Sequence, residues 1–129
     1  MAKRPGQMPK DLDAFLNKVV RGTLITIQSE LGSKKVSPYD TGRLRSSWFA
    51  AEGSPSQAVA AEGTDSPNID ATGLQVDWRR QYHLTNNVPY IEAVAIEGKV
   101  VSQPTTWFTD FINSRVPKII DASVKAANN

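Results

Sequence analysis

Cysteine is absent from the 129 residues, and His83 is the only histidine. These shortages exclude thiol catalysis, cysteine-ligated zinc, a histidine-built metal site and a serine triad assembled within one chain. The eight glycines are scattered and nowhere form the GxGxxG or GxxxxGK spacing by which backbone N–H groups cradle phosphates. No run approaches the roughly 18 apolar residues of a membrane span. Residues 1–10, basic and interrupted by Pro5 and Pro9, lack the apolar stretch of a secretory signal. The expectation is a soluble product that stays in the compartment where it is made.

What is there is an ordinary globular composition, 40% hydrophobic and 22% charged. At this length it predicts one domain with one core, stable without metal or disulfide staples. Net charge is only +2, but it is unevenly spread: residues 1–49 sum to +5 and residues 50–98 to −5. Halves of opposite sign let a basic surface of one copy meet an acidic surface of the next, which steers head-to-tail rings together. A mixed, solvated surface folded back on itself accounts for them equally.

Residues 1–10 form a basic arm, and residues 11–127 read as the single domain. Leu12, Phe15, Leu16, Val19, Val20, Leu24, Ile27 and Leu31 follow the i, i+3, i+4, i+7 rule and predict a long amphipathic helix over residues 11–31. Pro9 and Asp11 suit its start and Gly32 its stop. From Arg43 the period becomes two. Leu44, Ser46, Trp48 and Ala50 fall on one face, Arg43, Arg45, Ser47 and Phe49 on the other, as in a strand. A second short strand is expected at 57–62, inside a breaker-rich loop region near 53–72. Leu74, Val76, Trp78, Tyr82 and Leu84 share one parity and predict a long strand or a hairpin, with Arg80 marking a bulge or turn.

A short helix over 90–97, an edge strand at Val100 and Val101 and a second long helix over 105–126 complete the pattern. In that last helix Trp107, Phe108, Phe111, Ile112, Val116, Ile119, Ile120 and Val124 recur at helical spacing. Pro117 removes one ladder bond from it and predicts a kink or break near residues 113–116. The order points to an α+β domain: an antiparallel sheet packed against two long helices, N-terminal and C-terminal, with a short helix after the last main strand.

Chemistry has few candidates. Asp40-Thr41-Gly42 spells the triplet of dimeric aspartic proteases, where two carboxylates share a proton. Here Arg43 and Arg45 follow directly and would hold Asp40 ionised; the other reading is a side-chain-capped turn with Gly42 leading into the strand. Arg43 and Arg45 on one strand face, with Lys34 and Lys35 nearby, offer phosphate contacts for nonspecific DNA binding. Aromatic interleaving and a reader helix are missing, and Trp48, Trp78, Trp107 and Phe108 read as core. Glu92 and Glu97 read as a solvated helix face.

Two segments carry a resemblance. The run Ser37-Pro38-Tyr39-Asp40-Thr41-Gly42-Arg43-Leu44-Arg45-Ser46-Ser47-Trp48 resembles the DTG-x-L-R-x-S start of the first strand in the tail-completion and head-to-tail joining family of tailed bacteriophages. Downstream, Tyr82-His83-Leu84-Thr85-Asn86-Asn87-Val88-Pro89-Tyr90 and the residues through Gly98 resemble its N-x-x-P-Y-A … E-x-G segment. Asp40, Thr41, Gly42, Leu44, Arg45, Pro89, Tyr90, Glu97 and Gly98 take the family's structural places. Ile91 stands where the family has alanine, and residues 53–72 have no counterpart.

The resemblance implies a virion structural protein of the neck or tail end. It would form a hexameric ring that completes the tail, joins it to the head connector and leaves an axial channel for DNA. It implies no enzymatic activity and no cofactor. Its partners would be copies of itself, connector or head-completion and tail tube proteins, and DNA passing without sequence readout; no membrane is involved. Assembly would take place in the host cytoplasm. The residues expected at subunit or DNA contacts are Lys3, Arg4 and Lys10 of the arm, Arg43 and Arg45, and Ser54, Asp65 and Asn68 in a loop ordered by assembly.

Overall fold

The first predicted helix is α1 (Met8–Leu31) in the computed structural model, which describes residues 8–37, 42–96 and 106–128. It begins three residues before the expected start, so Pro9 and Asp11 both lie in its first turn, where a missing N–H costs nothing and a carboxylate is favoured. Lys10 is therefore part of this helix. Lys3, Arg4, Asp40, Thr41, Glu97, Gly98 and the edge strand expected at Val100 and Val101 lie outside the described residues.

The architecture is α+β. Strands β1 (Trp48–Glu52) and β2 (Tyr82–Asn86) pair antiparallel, with Trp48 opposite Asn86 and Glu52 opposite Tyr82. β1 is shorter than the alternation from Arg43 predicts. Ser46 and Ser47 each turn a hydroxyl back four residues, to the carbonyls of Gly42 and Arg43, both at 2.7 Å, and such local bonds compete with a ladder. Residues 43–46 accordingly make a turn, and the two arginines do not share a strand face. Residues 57–62 form no strand either, because side chains of Ser47, Arg43 and Asn87 occupy the backbone groups of Ala58 and Ala60. The long strand or hairpin expected from Leu74 forms a strand only from Tyr82: after a 3₁₀ turn (Asp70–Gly73), residues 74–77 are irregular and lead into a tight turn in which the Arg80 N–H donates to the Asp77 carbonyl at 2.9 Å. Arg80 thus does mark a turn.

After β2 a π-helical segment (Glu92–Ile96) follows Ile91. The second long helix is a continuous rod of α2 (Trp107–Asp110), a π-helical turn (Phe111–Arg115) and α3 (Val116–Ala127). The break expected before Pro117 takes the form of that wider turn, since proline has no N–H to return to the preceding turn. One ordinary turn plus one wide turn advances about eight residues. That puts Phe111 and Ile119 together inside, and Ile112 and Ile120 together outside at 45% and 44% exposure.

α3 runs antiparallel along α1. Arg115 forks onto the Glu30 carboxylate at one end, with both bonds 2.6 Å. Midway, a Cβ at Gly22 would sit 3.3 Å from Ser123 Oγ. Glycine there weakens the helix by about 1 kcal/mol relative to alanine but lets the two backbones come close. The buried core joins both helices to the sheet through Leu31, Trp48, Ala95, Trp107, Phe111 and Ile119. Trp48 stacks on Phe108 with centroids 6.1 Å apart, and Trp107 meets Phe108 edge-on at 5.4 Å. Both buried indoles are satisfied, Trp48 donating to Ser37 Oγ at 3.0 Å and Trp107 to the Val94 carbonyl at 2.9 Å.

Trp78 corrects the expectation that every tryptophan is core: it is 39% exposed. Its indole N–H donates to Asp13 at 2.9 Å, its backbone N–H donates to Asn17 at 2.8 Å, and Arg79 reaches the other Asp13 oxygen at 2.6 Å. The loop before β2 is thereby tied to the start of α1. Bonds from Trp78 and then Arg79 hold the Asp13 carboxyl below the ordinary aspartate range. A folded-state value below the unfolded one stabilises fully above the unfolded pKa and is lost as pH falls through the folded one. The stability difference between the wild type and Asp13→Asn, followed by urea melts, is expected to be constant well above the ordinary aspartate range and to shrink as pH falls through and below it. A difference that persists undiminished in acid contradicts the charged clamp.

Candidate functional site: a strapped loop and a clasped turn

The two sequence segments that carry the resemblance meet in space. Asn86 Nδ2 donates to the Leu44 carbonyl at 2.8 Å, and Asn86 Oδ1 accepts the Val88 N–H at 3.2 Å. One side chain therefore clasps the turn at 42–47 and shapes the corner that leads through Pro89 and Tyr90 to the helical segment. Leu44 and Val88 are buried beside that clasp, and Tyr90 is exposed. Gly42 has φ +89°, and a Cβ there would run into the Asp65 side chain. Both its backbone angle and its proximity to the loop call for glycine.

The loop of residues 54–69 is fastened to this turn along its length. Arg43 Nε donates to the Ala60 carbonyl at 2.8 Å. Arg45 donates to Asp65 Oδ1 at 2.7 Å and to the Gly32 carbonyl at 2.9 Å, bridging the loop to the end of α1. Ser47 Oγ accepts the Ala60 N–H at 3.1 Å and Ser46 Oγ the Ser66 N–H at 2.7 Å. On the other side, Thr85 and Asn87 donate to the Ser56 carbonyl at 3.1 and 2.8 Å. Asn68 Oδ1 accepts the Asp70 N–H at 3.1 Å, a local turn that leads into the 3₁₀ segment.

No protein-family model, curated protein or solved structure matches this chain.

The expected contact residues separate into two sets. Arg43 and Arg45 are largely enclosed, with side-chain exposures of 17% and 11%, and both guanidinium groups are engaged within the subunit; the turn at 43–46 is what takes them off the phosphate-facing strand edge that alternation predicts. Asp65 and Asn68 likewise hold the loop's own shape. Ser54 is exposed at the hairpin end after Glu52, with Gly53 at φ +82°. Within the subunit the loop's form is set by these bonds to the turn and to β2.

Sequence reasoning missed Gln28, Asn86 and the pair Ser46 and Ser47 as organisers. The serines had a local signal, since consecutive hydroxyls after a glycine favour turns over strands. His83 is half-buried on β2, and among the described residues its Nε2 finds no hydrogen-bond partner. No three acidic or histidine side chains cluster among the described residues.

Proposed function

We propose that this chain is a structural subunit of a phage neck or tail end that assembles with copies of itself into a ring around a DNA channel, without making or breaking bonds in a substrate. The observation that carries the reading is the clasp: the two segments that resemble the tail-completion and head-to-tail joining family lie far apart in sequence, yet Asn86 joins them through the Leu44 carbonyl. Gly42, Leu44 and Arg45 serve the geometry of a turn and of the loop fastened to it, a role suited to a rigid subunit whose work is shape. The opposed charge of the two halves of the chain favours contacts between unlike surfaces, the kind that close into rings.

The test is a reconstruction of the particle neck together with mass spectrometry of purified particles. The expected result is this chain in a small integral number of copies, arranged as a ring between connector and tail tube. Its absence from purified particles overturns the reading.

A further inference from the structure

The packing of α3 on α1 leaves a groove of about 480 Å³ along the helix pair. Gly22, Ile119, Ala122 and Ala126 make its bed mainly apolar, with Thr26 and Ser123 between them, and the antiparallel alignment puts a cation at each end, Lys18 on α1 and Arg115 on α3. Arg115 is already engaged with Glu30. Lys18 is exposed and has no ion pair among the described residues. The groove is therefore mainly apolar in its bed, carries its unpaired positive charge at Lys18, and is lined by no acid among the described residues.

The loop has the complementary character. Its most projecting stretch carries Val59 at 38% exposure, Ala61 exposed, and Glu62 with a side chain 90% exposed. Glu62's partner within the subunit, Arg43, is 3.9 Å away, a weak pairing in water. The straps at Ala60 and Ser66 hold the stretch in place, so little ordering entropy remains to be lost on contact. Alternation along β2 puts Thr85, which holds the loop at Ser56, on the face away from Leu84 and the Trp48 side of the sheet. The loop meets α1 at that helix's C-terminal end, where Arg45 and Pro67 lie beside Gly32, and none of its residues lines the groove of its own subunit.

We propose that the groove between α1 and α3 receives the loop tip of a second copy, with Val59 and Ala61 entering the apolar bed and the Glu62 carboxylate meeting Lys18 at the rim. This rests on the reading of the chain as a ring subunit and names the two surfaces that would make the ring. Because tip and groove are different surfaces, each copy uses its tip on one neighbour and its groove on the other. Such a contact is heterologous and closes when the rotation between copies divides a full turn.

The absence of cysteine makes the test clean. The full chain carrying Val59→Cys and Ala122→Cys together is expected, on mild oxidation, to give a ladder of covalent oligomers that stops at one size. Each single substitution is expected to give no ladder. Both positions are exposed, and circular dichroism checks that the fold is retained. Independently, Glu62→Lys and Lys18→Glu are each expected to lower the ladder yield about tenfold by putting like charges face to face, and the two together in one chain to restore it. No ladder from the double-cysteine chain overturns the proposal. So does a single-cysteine chain that dimerises as readily, since that marks a symmetric contact, and so does a ladder indifferent to both charge reversals. Particle incorporation measured in parallel separates the two levels: incorporation without a ladder removes the groove and leaves the neck reading, and a ladder without incorporation does the reverse.

Discussion

Trp48→Ala is expected to destabilise the protein by about 3–5 kcal/mol, the range for a large aromatic removed from a packed core, and to lower the thermal midpoint by roughly 10–20 °C. Trp48 is 5% exposed and sits where β1, the end of α1 and the start of the C-terminal rod come together. Its ring lies on Phe108, and its indole N–H meets Ser37 Oγ, whose own hydroxyl donates to the Leu31 carbonyl at 2.5 Å. Alanine leaves a cavity and removes the donor together. Trp48→Phe keeps most of the stack and loses only the N–H, so its cost should be about 1–2 kcal/mol. Differential scanning calorimetry on the three proteins checks the order. A Trp48→Ala variant that melts within a few degrees of the wild type would show that the sheet and the rod are held together by other means.

Periodicity made the long elements legible. The apolar stripe of residues 11–31 is α1, the stripe from Trp107 to Val124 is the C-terminal rod, and Pro117 marked where that rod is perturbed. These signals are local, each residue being constrained by neighbours three or four places away. The strands were legible only at Trp48 to Ala50 and at Tyr82 to Leu84, within the two paired segments. Elsewhere alternation in polarity was overridden by side chains that bonded the backbone first, at Ser46 and Ser47 in the turn and at Asp77 and Tyr82 before β2. The loop of residues 54–69 looked unstructured because it carries no apolar face. Its order comes from polar straps reaching from Arg43, Arg45, Thr85 and Asn87, and no sequence period encodes partners that lie 13 to 31 residues away. Trp78 was misplaced for a related reason: an aromatic in phase with buried neighbours is assigned to the core, yet a carboxylate on α1 holds its indole at the surface.

Gln28→Leu is expected to cost about 2–6 kcal/mol, because it strands two buried backbone groups at about 1–3 kcal/mol each. Gln28 lies on α1 among apolar neighbours and is 1% exposed. Its Nε2 donates to the Trp48 carbonyl at 3.0 Å and to Asp70 Oδ1, while its Oε1 accepts the Ala71 N–H at 2.9 Å. Asp70 Oδ1 in turn accepts the Ala50 N–H at 3.0 Å. In the register of this sheet, the Trp48 carbonyl and the Ala50 N–H point away from β2, along the outer edge of β1. Gln28 and Asp70 therefore take the bonds that a third strand would take, and an edge so occupied is closed to pairing with another chain. Leucine matches the volume but supplies none of the three bonds, leaving the Trp48 carbonyl and the Ala71 N–H dry and unpaired. Hydrogen exchange should quicken at Ala71 and Ala50, and urea melts should show the loss. Asp70→Ala combined with Gln28→Leu should cost less than the sum of the two alone, by about 1 kcal/mol or more, as for partners in one network. Strict additivity would mean that the two side chains act separately and that the edge of β1 is protected in some other way.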